Sequence, residues 1–529
     1  MGKLLLSGNE AIAFGAFHAG ARVGTAYPGT PSTEILENFS TYPDIYCEWS
    51  VNEKVAFEVA IGAALAGART IVAMKHVGLN VAADPLFTSS YIGVKAGLVI
   101  VCADDPDMHS SQNEQDNRHY ARSAKIPMLE PSDSHEAYTF TKLAFELSEK
   151  YDTPVLVRTT TRISHSKTVV FPDSHRVKLP PPEGFNRNVK KYVMIPAYAR
   201  LRHVEVEKRL TRIKKECNNL EINHIEQGDK KRGFITSGIS YNYAKEVFPG
   251  ASILKLGMTN PLPERIIKKF CQDIKKVIVV EELDPFLEIQ IKAMGLNVEG
   301  KRYFPLTSEL NPDIIHRALI KKEPEDECTI NIPIPPRPPS LCPGCPHRKV
   351  FEVIHKLGLM VSGDIGCYTL GVLPPYFSID TCIDMGASIG AVQGIEIAEG
   401  DAYKNNVVAV LGDSTFAHSG ITGLLNAAYN KRHSLIIVLD NGTTAMTGMQ
   451  PNPLSGERIT GEATVALDYK KLAEAVGIGE KNFFIVDAYN DKEIEEHITA
   501  LLVSKKLSLL VVKGMCVILK RKKMKKARS

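Results

Sequence analysis

The sequence predicts a multidomain α/β protein built on doubly wound, mostly parallel sheets. Three observations carry this. Short, wholly apolar runs recur at strand length, helical stretches of small and apolar residues separate them, and two such runs end in polar turns of the kind found at the carboxyl edge of a parallel sheet. In the first part of the chain the strands are Thr70–Met74, Leu98–Val101 and Pro154–Val157, and Asn52–Ala68 has the helical pattern. From Lys178 to about Lys231 the chain is charged and poor in strand signals, with Leu201–Asn218 expected as a basic surface helix. A second α/β segment follows, with strands at Gly233–Thr236, Ser252–Leu256 and Lys276–Val280. Prolines at 333, 335, 336, 338, 339, 343 and 346 then predict a stiff extended linker, because proline fixes φ and removes a backbone donor. The last segment has strands at Val407–Leu411, Leu435–Leu439 and Leu507–Val512, and a helix at Gly423–Lys431.

The bulk numbers exclude several function classes. At roughly 100–200 residues per domain, 529 residues predict about three domains. A net charge of +4 leaves no broad nucleic-acid footprint, and the basic run Lys520–Arg528 reads either as a solvated tail or as a docking segment for an acidic partner. No apolar run approaches the ~20 residues of a membrane helix, and the first residues are too short for a signal peptide, so a cytoplasmic protein is expected. Ten cysteines in so long a chain do not form a disulfide framework; where they cluster they indicate metal or redox chemistry.

The Val407–Leu411 strand runs into Gly412-Asp413-Ser414, and the Leu435–Leu439 strand runs into Asp440-Asn441-Gly442. One helix separates them, so the two strand ends can be neighbours. An Asp carboxylate and an Asn carbonyl there suit magnesium, which takes few oxygens from protein and others from phosphate. The pair resembles the thiamine-diphosphate signature of Gly-Asp-Gly followed by Asn-Asn, with Ser414 and Gly442 as departures. The resemblance implies Asp413, Asn441 and the carbonyl of Thr443 as magnesium ligands, with Gly412, Ser414 and the Gly386-Ala387-Ser388 turn beside the cofactor.

Thiamine-dependent families use a glutamate to activate the thiazolium carbon. Glu48 and Glu53 are both candidates, and the spacing resembles that of the 2-oxoacid:ferredoxin oxidoreductases, which selects Glu53. A helix N-terminus also favours a glutamate for purely structural reasons. Tyr27–Ser32 resembles that family's loop facing cofactor and substrate, with Thr30 as the residue placed there; His76, at another strand end, is a proton carrier or a polar contact.

Cys342-Pro343-Gly344-Cys345 is a C-x-x-C turn, and on its own it leaves zinc, an iron–sulfur cluster and disulfide exchange open. Cys367 follows in an Ile-Gly-Cys context, and Cys516 lies after the last strand. The arrangement resembles the same oxidoreductases and implies one 4Fe–4S cluster on Cys342, Cys345, Cys367 and Cys516, with Cys382 as the rival fourth ligand. Cysteines 47, 102, 217, 271 and 328 are scattered and read as inert thiols.

Glu48–Thr70, Ala103–Pro106 with Ser110–Asp116, Cys342–Arg348 and Asp440–Gln450 together resemble the alpha subunits of indolepyruvate ferredoxin oxidoreductases over nearly the whole chain. That resemblance implies two thiamine-diphosphate-binding doubly wound units flanking a transketolase-C-terminal-like α/β domain. The expected boundaries are 1–177 for the pyrimidine-binding domain, 178–325 for the transketolase-like domain, 326–340 for the linker and 341–529 for the diphosphate-binding domain with its cluster. It implies oxidative decarboxylation of aryl pyruvates with coenzyme A and reduction of ferredoxin. It also implies a smaller beta subunit and an alpha–beta hetero-oligomer containing an alpha dimer. Rival readings are a sibling enzyme for another 2-oxoacid, a non-oxidative thiamine decarboxylase, which would need no cluster, and a non-catalytic subunit bearing a cluster or zinc. The resembled subunits continue into a ferredoxin-like domain; this sequence ends thirteen residues after Cys516, which leads to the expectation of a separate ferredoxin-like subunit or a truncation.

Overall fold

The computed structural model describes residues 2–320, 335, 337–400, 403 and 406–526. Of the expected linker, residues 326–334 and 336 lie outside the described residues, as does Cys328. Residues 1–330 and 331–529 form two compact units, so the segments expected as 1–177 and 178–325 share the first of them.

The first unit is built on a seven-stranded sheet. Its order is Met258–Asn260, Met128–Leu129, Val155–Thr160, Leu98–Asp104, Thr70–Lys75, Val23–Ala26, Tyr46–Trp49. Every pair is parallel except that of Met258–Asn260 with Met128–Leu129. Leu98–Asp104, at the middle, is buried along its whole length, as a strand covered on both faces must be. A second, four-stranded sheet runs Val277–Val280, Asp229–Thr236, Ala251–Leu256, Asn223–Glu226, the last antiparallel. The edge strand Met258–Asn260 therefore carries the chain from the second α/β segment onto the first sheet.

The helix at Pro196–Glu216 is largely exposed, as its charge predicts, but it is more than a surface segment. Val206, Arg209 and Ile213 are buried. The Arg209 guanidinium donates to the carbonyls of Asp152 and Ser90, and Arg202 donates to Tyr91 O at 2.7 Å. Two long side chains bury their stems and satisfy loop carbonyls.

Arg118 is the main ionic tie inside this unit. Nearly fully buried, it chelates Asp116 through Nε (2.9 Å) and Nη2 (2.5 Å), donates to Glu281 Oε2 at 2.7 Å, and lies over the Phe286 ring at 5.0 Å. Arg158 beside it donates to Asp104 Oδ2 at 2.7 Å. Burial raises the Asp104 carboxyl to about 6 and the Glu282 carboxyl to about 7.

The second unit is one six-stranded, wholly parallel sheet in the order Thr381–Cys382, Met360–Gly363, Val407–Gly412, Leu435–Asp440, Ser508–Lys513, Phe483–Asp487. The three central strands are apolar and buried nearly throughout, and two clusters of aliphatic side chains pack on their two faces. The expected helix at Gly423–Lys431 is Ile421–Tyr429, entered through a wide turn at Phe416–Gly420.

Replacing Arg118 by Met strips two buried carboxylates of their partner, a change that costs about 3–5 kcal/mol. The thermal midpoint of the first unit is expected to fall by roughly 10 °C. Lys208→Met, on an exposed surface pair, is expected to leave it in place; a calorimetric scan of both variants checks this.

Candidate active site

In the first unit, Glu53 is the first residue of the Glu53–Leu65 helix, whose N-cap Asn52 accepts from Val55 N at 3.0 Å. Its side chain is only 4% exposed. It lies directly against Gly78, where an added Cβ would stand 2.6 Å from Glu53 Oε1. Only a glycine at 78 leaves the Glu53 carboxylate this space, a relation the sequence does not display. Glu48, the other candidate, is half-buried and accepts from Tyr46 Oη and Ser50 Oγ, both at 2.8 Å.

Two loops of this unit meet a third, Ser110–Asn113. Thr30, half-buried after the Val23–Ala26 strand, accepts the Ser110 hydroxyl at its carbonyl, 3.2 Å away. Lys75 Nζ donates to Ser110 O at 3.1 Å, and His76 Nε2 donates to Asn113 O at 3.1 Å. Burial takes the His76 imidazole down to about 4 and the Lys75 ammonium down to about 8. His76 is therefore neutral near pH 7, with a buried Nδ1 that has no hydrogen-bond partner. That suits the polar contact better than the proton carrier.

In the second unit, Asp413 and Asn441 follow adjacent parallel strands in which Gly412 pairs with Leu439. Asp413 is buried; its Oδ2 accepts from Asn452 Nδ2 at 3.2 Å. Burial and the neighbouring Asp440 push its carboxyl up to about 7. Lys513, 3.6 Å from Asp440, is the one cation paired there among the described residues. Asn441 is fixed from two sides: its Oδ1 accepts Thr443 N at 3.1 Å, and its Nδ2 donates to His347 Nε2 at 3.3 Å. Ser414 Oγ accepts the Thr444 hydroxyl at 2.8 Å. Buried oxygens with an excess of negative charge fit a divalent cation.

The Gly386-Ala387-Ser388 turn is held by Asp364, a residue not chosen from sequence. Its carboxylate accepts Gly386 N at 2.9 Å and Ser388 N at 3.2 Å, so those amides are already occupied. Ser388 is buried in the same turn, and its side chain also reaches the Asp364 carboxylate. Gly386 has φ +97° and no room for a side chain beside Ser419.

Cys342, Cys345, Cys367 and Cys516 line one cavity of about 110 Å³, together with His347, Asn441, Val517 and Ile518. Cys382 is not part of it; its Sγ faces Asp364 O at 3.5 Å. Four thiols lining one cavity suit either a tetrahedral zinc or an iron–sulfur cluster. Burial raises Cys345 to about 11, and burial with the other three cysteines raises Cys367 to about 12. Thiols raised in this way, Cys345 and Cys367, ionise only beside positive charge. The cavity also abuts the metal anchor, since Cys516 N donates to Asn441 O at 3.0 Å.

Residues 364–512 match the thiamine pyrophosphate enzyme C-terminal TPP-binding domain, and residues 14–233 match the thiamine diphosphate-binding domain of pyruvate flavodoxin/ferredoxin oxidoreductases. These matches define the class, a chain of thiamine-diphosphate-binding domains of the 2-oxoacid oxidoreductase type. The chain is 43% identical to indolepyruvate oxidoreductase subunit IorA of Archaeoglobus fulgidus, over 98% of this chain and 87% of that one. It is 41% identical to the subunit of the same name from Methanothermobacter thermautotrophicus, over the same shares. The chain belongs to the IorA family of indolepyruvate oxidoreductase subunits. In fold it is similar to 2-oxoglutarate:ferredoxin oxidoreductase from Magnetococcus marinus, with a TM-score of 0.52 at 17% identity, covering 60% of this chain and 65% of that one.

Two outcomes are expected from this geometry. A cation at Asp413 needs the carboxylate, which is protonated below about 7 in the free protein. Magnesium affinity, measured by calorimetry in the presence of thiamine diphosphate, should therefore rise with pH up to about 7 and then level off, and Asp413→Asn should abolish it. Cys516→Ser should lower the iron content and remove the reduced-cluster signal in electron paramagnetic resonance, whereas Cys382→Ser should preserve both.

Proposed function

We propose that the chain is the thiamine-binding subunit of an enzyme that oxidatively decarboxylates aryl 2-oxoacids such as indolepyruvate and phenylpyruvate. The products are the aryl-acetyl-coenzyme A and carbon dioxide, and electrons leave through one 4Fe–4S cluster to ferredoxin or a ferredoxin-like subunit. The observation that carries this reading is the cavity uniting Cys342, Cys345, Cys367 and Cys516 with Asn441 in its wall. A redox centre against the metal anchor supports oxidation over simple decarboxylation, because the electrons have an adjacent acceptor. The aryl preference rests on likeness to the IorA subunits.

Bound thiamine diphosphate supplies a carbanion-stabilising centre. The chain's own residues do the rest. Asp413, Asn441 and the Thr443 carbonyl hold magnesium. Gly412, Ser414 and the Ser388 hydroxyl, in the turn Gly386-Ala387-Ser388, face the diphosphate. Glu53 moves the proton that activates the cofactor, with Gly78 leaving its carboxylate the space it occupies. Thr30 and the neutral His76 supply polar contacts to substrate or cofactor.

Residues 1–177 act in this reading as the pyrimidine-binding domain, 178–325 as the transketolase-like domain, 326–340 as the linker and 341–529 as the diphosphate-binding domain. A beta subunit completes an alpha–beta hetero-oligomer with an alpha dimer. A cytoplasmic site of action agrees with the free thiols and the cluster chemistry. No helix among the described residues is long and apolar enough to cross a membrane.

The test is anaerobic purification with the beta subunit, iron counting, and assay across several 2-oxoacids. Turnover on aryl pyruvates with coenzyme A and reducible iron is expected; an active but iron-free protein overturns the oxidative reading. Glu53→Gln should keep the cluster signal and lose at least 10²-fold in turnover, the scale of a general acid–base contribution. Gly78→Ala, which pushes the Glu53 carboxylate aside, should lower turnover in the same direction.

A further inference from the structure

Directly after Cys516 the chain enters the Val517–Lys526 helix. Val517 and Ile518 line the cysteine cavity. From there the helix carries Lys520, Arg521, Lys522, Lys523 and Lys525, all exposed, with no acidic residue among 517–525. With a net charge of only +4 over 529 residues, five cations in six positions are a local concentration and not the tenor of the surface. Among the described residues, Lys523 is the one of these cations with an acidic partner, Glu457 at 3.9 Å. At about 1.5 Å per residue the first of these cations stands roughly 6 Å along the helix from Cys516. Beside them lie two apolar side chains open to solvent, Met515 at 47% and Ile518 at 46% exposure, one on each side of Cys516 in sequence.

An apolar spot over a buried redox cavity, bordered by charge of one sign, has the anatomy of a weak electron-transfer interface. Such contacts are small, apolar at the centre and polar at the rim, and they draw their rate from electrostatic steering. We infer that the Met515–Lys525 segment is the docking face for an acidic iron–sulfur carrier protein that takes electrons from the cluster of Cys342, Cys345, Cys367 and Cys516. The inference rests on the cluster reading above and adds the place of exit. Docking changes no covalent bond: one electron leaves the reduced cluster, one oxidised carrier is reduced, and two carriers serve each two-electron oxidation. The carrier's carboxylates meet Lys520, Arg521 and Lys522, and its own cluster approaches over Met515 and Ile518.

The experiment uses the anaerobic holoenzyme and an acidic bacterial-type ferredoxin as probe. Binding is measured by calorimetry at low and high salt, together with ferredoxin reduction, reduction of a small redox dye, and the cluster's paramagnetic signal. Binding that weakens at least tenfold as salt rises is expected. The triple variant Lys520→Glu, Arg521→Glu, Lys522→Glu should weaken low-salt binding at least tenfold and raise the KM for ferredoxin alike. Dye reduction and the cluster signal should stay unchanged, and a triple Gln variant should fall between. Ferredoxin binding untouched by the Glu variant, with the cluster signal present, overturns the docking face. So does a variant that loses binding to anionic vesicles or to DNA while keeping its ferredoxin affinity. A wild-type enzyme without a cluster signal overturns the underlying reading itself and is recognised as such before any variant is made.

Discussion

The candidate chemistry of the second unit depends on the in-register parallel pairing of three strands. Gly412 lies opposite Leu439, and Asp440 lies opposite Lys513. Because parallel strands end on the same edge, the residues that follow them, Asp413, Asn441 and Cys516, come out together whatever their separation in sequence. The strands are nearly all aliphatic and buried on both faces, so a one-residue slip would expose the wrong side chains to each helical layer. Asp413, Asn441 and the fourth cavity thiol are thus placed by the same packing that holds the sheet. Backbone N–H of Cys516 bonded to the Asn441 carbonyl then joins the two directly.

Two further ties keep these loops in step. His347 opens the His347–Lys356 helix two residues after the C-x-x-C turn, and burial takes it down to about 4, so its imidazole is neutral and its Nε2 can accept from Asn441 Nδ2. That bond turns the Asn441 carbonyl oxygen toward the Thr443 amide side, where a metal would be met. On the other flank, Tyr368, the residue after Cys367, donates to Ile365 O at 2.6 Å and stands 3.0 Å from the Thr415 hydroxyl, two residues beyond Asp413. The thiol cavity and the cation anchor therefore share their supporting side chains, and neither loop can shift without strain on the other.

Much of this was legible in the sequence, for identifiable reasons. Val407–Gly412, Leu435–Asp440 and Ser508–Lys513 are runs of five or six residues whose apolar character has no other explanation, and their polar termini mark the candidate site. Met128–Leu129 and Thr381–Cys382 are two-residue strands, too short to leave a periodic signal, and were not expected. Asn223–Glu226 lay hidden in a charged stretch because it is an antiparallel edge strand with only its first residue buried. Asp364, Asn452 and Gly78 escaped selection because each acts on a residue 22 to 39 positions away, a relation that local pattern does not encode. Spacing could not choose between Cys516 and Cys382. Topology separates them, since Cys382 sits on an edge strand and faces Asp364, while Cys516 follows a central strand into the cavity.

The charge distribution of the second unit has one logic throughout. Its interior collects groups that burial alone would keep neutral: the Asp413 carboxyl is raised to about 7 and the Cys367 thiol to about 12, each against further acidic neighbours. A protein gains nothing in stability from gathering such groups, because every one costs desolvation and repels the next. They become favourable when a cation enters beside them, so each cluster suits a positively charged ligand. The cations of the last helix stand in solvent beyond the thiol cavity. The docking face inferred above would give their position beside Cys516 a use, the approach of an acidic carrier.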